Sequence, residues 1–361
     1  MLRRLCARCR VDLVTVGPFW ARDVALADRM PLSVRSVTLV PSTPEEAPPG
    51  TSYRLRVHHR SGYDREVGRM LAARCPGVVH VEGYFLMQHV PDTDVPVFVV
   101  AENIEHVIEA QLGARRDDVV AAECAALSRA AALGAVSEPD ADRLRGLLPR
   151  HEVTVVPNGV DHLPRRRPRE RPTPPLPPVA VYIANYTWPP SADGARNLLE
   201  NLWPGIHARV PSARLVLVGA GMDDGLRALV AATGGARAAG YVPDLDRLYD
   251  EADVILCPLR FGGGSKLKML EALRRGRPIV ASPPCVEGIP LHDPGAVRVC
   301  PTDESFVAAA ASLLTDPDGR EELARRAETA AAALPTWDEA AELLLGCWTD
   351  VAAARSGSAE G

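Results

Sequence analysis

The sequence predicts an α/β protein of two doubly wound domains, each built on a parallel sheet and joined by a proline-rich hinge. Three observations predict it. The 361 residues divide into two domains at about 150 residues each. Val-rich runs of strand length alternate with helix-length segments nearly throughout, as in a parallel sheet covered on both faces. The alternation is interrupted from Pro157 to Val179, PNGVDHLPRRRPRERPTPPLPPV, where prolines prevent a helix and apolar residues follow no period; it then restarts.

Each element follows in order. The chain opens on a helix end, Leu2–Arg10, before a strand at Val11–Val16. A doubly wound domain opens instead with a strand, a Gly-rich turn and then a helix, so the first strand is expected to be missing. Further strands are expected at Ser36–Val40, Val78–Val81, Val97–Ala101, Ala135–Ser137 and Val153–Val156. Helices fall at Asp64–Cys75, at the Ala-rich Ile104–Leu133, and at Glu138–Leu148, capped by Ser137. Beyond the hinge come a strand at Val179–Ala184, a helix at Ala192–Arg209 and strands at Leu215–Val218 and Val254–Cys257. A helix at Lys266–Arg275 precedes strands at Pro278–Ser282 and Val297–Cys300. Helices at Asp303–Thr315 and Gly319–Leu334 and a long amphipathic one at Trp337–Ala354 complete the chain, with the tail SGSAEG disordered.

Composition narrows the function. A net charge of −5 argues against a nucleic-acid binder built on basic charge. No apolar run reaches membrane-spanning length, and the first residues lack the apolar core of a signal peptide, which predicts a cytoplasmic protein. The basic cluster Arg165–Arg171 could touch a membrane surface or an acidic partner, or be a solvated linker. Cys6 and Cys9 form a lone C-x-x-C with no second pair at zinc spacing, so no metal site is expected. Of the 41 basic residues, all are Arg except Lys266 and Lys268. The Arg and Ala bias points to a GC-rich genome in which Lys is rare unless something retains it, and Lys is a compact charge that can approach a phosphate beside tight backbone.

Both lysines lie in the segment that carries chemistry. A strand ends at Cys257, Gly262, Gly263 and Gly264 follow, and Ser265 opens a helix. Ligands of parallel α/β sheets bind at the C-terminal ends of strands. Glycines let backbone approach an anion, and free N–H groups at a helix start bind phosphate. Lys268 adds charge in the first turn, and Glu271, three residues on, can accept hydrogen bonds from sugar hydroxyls. The same residues also read as a Gly-rich turn with an intrahelical Lys268–Glu271 pair. A Walker pattern is absent, and after the strand Leu215–Val218 the third glycine of a dinucleotide fingerprint is replaced by Asp224.

The segment GGGSKLKMLEALRRGRPIVASPPCVEGI resembles the donor-site signature of GT-B glycosyltransferases of family 4. PNGVD at 157–161, VYIANYTWPPSADGARNLL at 181–199, GYVPDLDRLYDEADVILCP at 240–258, VVHVEGYFLMQ at 78–88 and AENIEHVIEAQ at 101–111 resemble further family segments in family order. The resemblance implies two Rossmann-like domains facing across a cleft. It implies domain limits of 1–160 for the acceptor-side domain, 161–178 for the linker and 179–335 for the nucleotide-sugar domain. A helix at 336–354 packs back toward the first domain, and 355–361 form a disordered tail. Glu271 matches the second glutamate of the family's Glu-x7-Glu motif, which binds the donor ribose. The first falls at Gly263, as in a subgroup whose Gly-rich loop faces the diphosphate. The basic pair often found after the first strand of the second domain is absent from Asn185–Asp193, leaving Lys268, with Lys266, to supply charge. Ser265 belongs to the same loop. Tyr241 and Val242 match positions that meet the base, and Asp253 one that supports the cleft.

On the acceptor side Glu102 stands where the family often has His. Asn103 and Glu105 would face the cleft or hold the helix start, and Glu82 is a further candidate. Glu105 and His106 equally read as an ordinary first-turn pair. Tyr186 and Trp188 would stack on a sugar or anchor their loop. The resemblance implies transfer of a hexose from a UDP-, GDP- or dTDP-sugar to a small-molecule or glycan hydroxyl, retaining, with no metal and no cofactor, in natural-product or cell-surface glycan assembly. The alternatives are a catalytically inactive sugar-nucleotide-binding protein and a sugar-nucleotide epimerase. If one βα segment is missing, the translation start lies roughly 20–30 residues upstream.

Overall fold

The computed structural model describes residues 1–16, 34–40, 45, 53–113, 116–163 and 176–358. The chain forms two compact units, Met1–Gly159 with Thr336–Gly361, and Val160–Pro335. The cluster Arg165–Arg171 lies outside the described residues, as does most of the hinge.

In the first unit β1 (Val11–Val16) and β2 (Val34–Val40) pair in parallel. A separate parallel sheet runs β3 (Val79–Glu82), β4 (Val97–Ala101), β5 (Ala132–Ala135) and β6 (Val153–Val155) in that order. The described strands therefore do not join into one sheet, and β1 and β3 each have one strand neighbour among the described residues. The period of two explains β4. Val97, Val99 and Ala101 join a core with Val81, Leu133 and Ala135, while Phe98 and Val100 face Leu5, Val136, Ala340, Ala341 and Leu344 on the other side. All five β4 residues are buried.

The last of those partners belong to the helix Trp337–Ser358. Arg4 donates to Asp338 at 2.6 Å, and Arg8 pairs with Glu342, linking this helix to Leu2–Cys6. The helix runs four residues past Ala354 into the stretch expected to be disordered, because Ala352–Arg355 are good helix formers. Residues 359–361 lie outside the described part. The single helix expected at Ile104–Leu133 is two, Glu105–Gln111 and Arg116–Leu127. Gly113, with φ of +90°, ends the first as a helix-terminating glycine does. The following strand begins at Ala132, three residues before Ala135.

The second unit is one six-stranded parallel sheet of β7 (Val179–Ile183), β8 (Arg214–Val218), β9 (Ala236–Gly240), β10 (Val254–Cys257), β11 (Ile279–Ala281) and β12 (Arg298–Val299). The order across it is β9-β8-β7-β10-β11-β12, which is the doubly wound order, reversing direction between β7 and β10. Ala180, Tyr182, Leu215, Leu217, Val254 and Leu256 face one core; Val181, Val216, Val218, Ile255 and Cys257 face the other. Trp203, fully buried in the first, donates its indole N–H to the Gly234 carbonyl at 2.9 Å. Burial of such side chains is worth about 1.5–3 kcal/mol each. The helix expected at Ala192–Arg209 starts earlier, at Pro189, where proline is tolerated in the first turn, and passes through a π-helical turn at Leu198–Leu202. No helix among the described residues is long and apolar enough to cross a membrane.

Candidate active site

The reversal between β7 and β10 brings two loops to the C-terminal edge of the second sheet. The loop after β7, residues 184–188, is fixed by Ala184 and Tyr186 N–H groups donating to Val218 and Ala220 carbonyls, both at 2.9 Å. Gly219 permits this approach. At φ +137° a Cβ there would overlap the Ala184 carbonyl oxygen. Tyr186 is buried and donates its hydroxyl to the Tyr182 carbonyl at 3.3 Å, so of the two roles expected for it the structure selects the loop anchor. Trp188 is half-buried at the start of the Pro189–Asn197 helix.

The loop after β10 carries the three glycines. Gly262, Gly264 and Lys266 have positive φ, +139°, +69° and +39°, with Gly263 and Ser265 between them. Positive φ at every second residue is a feature of the backbone nests that bind anions. Lys266 pays for its left-handed backbone by roughly 1–2 kcal/mol. It is the residue before the helix Leu267–Arg274, which therefore begins two positions after Ser265. Ser265 and Gly264 are buried; Gly262 and Gly263 are half-buried.

The two lysines part company. Lys266 Nζ donates to the Glu287 carbonyl at 3.0 Å, so its head is held by the loop after β11. Lys268 is half-buried as a residue, but its Nζ is buried with no hydrogen-bond partner. That nitrogen lies 4.9 Å from the centre of the Tyr182 ring, and its burial pushes the ammonium below the usual lysine range, opposed by the Cys257 and Cys285 thiols. No Lys268–Glu271 pair forms. Glu271 instead accepts the Tyr249 hydroxyl at 3.1 Å. Burial pushes its carboxyl up, against the Tyr249 hydrogen bond and Arg275. Arg275 in turn lies over the Tyr249 ring at 4.6 Å and pairs with Asp246 at 2.5 Å.

Tyr241 is 52% exposed, so its ring is presented to solvent, while Val242 packs on the core. Arg260, two residues before the glycines, donates to Asp193 at 2.8 Å. The sequence reading missed this cation, although its place in PLRFGGG was visible. Asp253 sits at the opposite, N-terminal end of the strands. It accepts the Val179 N–H at 2.8 Å and lines a cavity of about 520 Å³ with Arg277 and Arg320.

In the first unit Glu82 ends β3 and Glu102 follows β4, on neighbouring strands. Trp348 donates its indole N–H to His80 Nδ1 at 3.2 Å, and His80 Nε2 is 2.9 Å from Glu82. An indole is only a donor, so the His80 proton sits on Nε2 and points at the Glu82 carboxylate. Glu102 is exposed, yet desolvation and the Glu82 carboxylate push its carboxyl up. Asn103 is half-buried between β4 and the Glu105–Gln111 helix.

Glu105, expected to face the cleft or to hold the helix start, is 3% exposed and does not face open solvent. It accepts Arg54 Nη2 at 3.0 Å, and burial pushes its carboxyl up to about 7 against that ion pair. Nor does it hold the helix start. Glu123, fully buried on the Arg116–Leu127 helix, accepts the Glu105 and His106 N–H groups at 3.0 and 3.1 Å and pairs with His106 Nδ1 at 2.7 Å. Among the described residues no group of three or more His, Cys, Asp or Glu is placed to hold a metal ion.

Comparison with known proteins agrees with this architecture. Residues 177–316 match the family model for Glycosyl transferases group 1. No curated protein sequence matches the chain. A sucrose-phosphate synthase from Thermosynechococcus elongatus is similar in structure, with a TM-score of 0.68 at 16% identity over 98% of each chain. Anabaena Alr3699/HepE, solved with UDP and glucose, gives 0.67 at 15% identity over 96% of this chain and 95% of that one. S. aureus TarM gives 0.64 at 12% identity over 81% of this chain, which spans 58% of TarM. The fold shared with them is the GT-B fold.

Proposed function

We propose that the chain moves a hexosyl group from a nucleotide diphosphate sugar to an acceptor hydroxyl, with retention at the anomeric carbon and without a metal ion. One observation carries the reading. A buried, unpartnered lysine nitrogen lies at the start of the helix that follows an alternating left-handed glycine loop, at the point where the sheet reverses its order. A diphosphate is the group that such backbone N–H groups and such a cation complement together. The match of residues 177–316 to group 1 glycosyltransferases supports it, as does the UDP seen with glucose in Alr3699/HepE.

In this mechanism the loop and Lys268 stabilise the charge that develops on the departing nucleoside diphosphate as the glycosidic bond breaks. Glu271 accepts hydrogen bonds from the ribose, in the orientation that Tyr249 gives it. Tyr241 meets the base. Glu82 and Glu102 are the candidates for acceptor contact within the first unit. Gly263, where a side chain would meet the transferred sugar, leaves only backbone there, and it is the residue that keeps an inactive nucleotide-sugar-binding protein as the second reading.

A thermal-shift series with UDP, GDP, ADP and dTDP tests the site. Stabilisation by one of them is expected, with release of that nucleotide from its sugar only when an acceptor is present. Stabilisation without turnover selects the binding protein, and sugar interconversion without acceptor selects an epimerase. Glu271→Gln keeps the fold and weakens donor binding by about 10- to 100-fold, the loss of a charged hydrogen-bond acceptor. Unchanged donor affinity in that variant would remove Glu271 from the site.

A further inference from the structure

The surroundings of Lys268 go further than the presence of a cation, given that the glycine loop is the donor diphosphate site. Three elements place side chains near its nitrogen. From β7, Tyr182 offers the face of its ring, because its hydroxyl is spent on the Ser191 carbonyl at 3.0 Å. From β10 comes the Cys257 thiol, fully buried. From the turn after β11 comes Cys285, whose thiol donates to the Cys257 carbonyl at 3.0 Å and lies 3.5 Å from the Ser282 hydroxyl. The helix Pro317–Ala331, packed against the lysine's own helix, contributes Ala327, Ala330 and Ala331 to the core that holds Cys257 and Cys285. On the lysine's own helix Glu271 turns to Tyr249, and the preceding Lys266 is held by the Glu287 carbonyl. Arg260 pairs with Asp193.

No described carboxylate or carbonyl accepts a hydrogen bond from this nitrogen. Burial pushes the Cys257 thiol up, which disfavours a counter-charge there. A ring face attracts a cation, but weakly beside the cost of desolvating an ammonium that has no acceptor. An amine in such a place sheds its proton unless an anion arrives.

We infer that Lys268 is uncharged in the donor-free protein and takes up a proton as the nucleotide-sugar diphosphate seats on the glycine loop, so that donor binding consumes one proton. The proton comes from solvent, and the N–H bond formed places the ammonium against a phosphate oxygen. The free amine spares the apo protein an unpaired buried charge, and the cation exists only while the group it serves is present. Linkage then fixes the sign. Above the pH at which the free amine loses its proton, binding must add that proton, so the donor Kd rises with pH, toward tenfold per pH unit. Below that pH the lysine is charged in both states and the dependence vanishes.

Titration calorimetry of the full chain with UDP-glucose, GDP-mannose, ADP-glucose and dTDP-glucose tests this. Runs at about pH 8 in phosphate and in Tris, buffers with very different heats of ionisation, count the protons exchanged. A nucleotide-sugar diphosphate is a diester with no group of its own titrating there, so any uptake belongs to the protein. For the donor that binds, the expected result is uptake approaching one proton per donor. In Lys268→Met that uptake disappears and binding is weaker. Binding with the same heat in both buffers overturns the proton uptake while leaving the donor site intact. No binding by any of the four overturns the donor site, and this inference with it.

Discussion

Lys268→Met is expected to lower kcat/KM for the donor by about 100- to 1000-fold while the melting temperature stays level or rises. The two effects have opposite signs because the nitrogen serves the reaction and not the fold. A preorganised charge facing a departing anion is worth about 2.7–4 kcal/mol. In the folded chain, however, that nitrogen is buried over the Tyr182 ring with nothing to bond. Methionine fills similar volume and has no amine to strip of water or of its proton on folding, and replacing a costly buried polar group by an apolar one is neutral or stabilising. Steady-state rates and thermal unfolding on the same preparation check both halves. A lower melting temperature with full activity would make the lysine a structural residue.

Glu123→Ala is expected to destabilise the first unit by about 3–5 kcal/mol, since buried donors left without an acceptor cost about 1–3 kcal/mol each. It strips the acceptor from two N–H groups at the start of the Glu105–Gln111 helix and from His106, all inside the protein. Glu123→Gln, which keeps one carbonyl oxygen, should lose less. Urea unfolding measures both. Equal stability of the alanine variant would mean that another group takes over the helix start.

The contrast between these two residues shows what the sequence reveals. Lys268 was legible because a lysine in an arginine-rich chain stands beside three glycines. Glu123 was not, since one acid in an alanine run, VVAAECAAL, looks like a solvated helix face. Its partners lie 17 and 18 residues away across a turn set by Gly113. Among strands, Val11–Val16, Val97–Ala101 and Val254–Cys257 were read to the residue, the last two as unbroken apolar runs that are buried throughout. Ala236–Gly240, ARAAG, passed unseen. As the edge strand beside β8 it has no buried residue, its five being half-buried or exposed, and its small side chains and Arg237 give no strand-like apolar pattern. The glycine loop was legible for the same reason as the lysine, but the ring and thiols around Lys268 come from strands whose apolar pattern gives no sign of what they enclose.

The helix Trp337–Ser358 has a consequence for the order in which the protein is made. It covers Phe98 and Val100 of β4 with Ala340, Ala341 and Leu344, yet it leaves the ribosome after some 240 intervening residues. Val160–Pro335 emerges whole and can close its core while synthesis continues. The older unit waits with one face of its central strands uncovered until the newest helix arrives. Nascent chains are therefore most exposed to chaperones and to mispairing at the first half of the sequence, and shortening the far end of the chain damages the fold of its beginning.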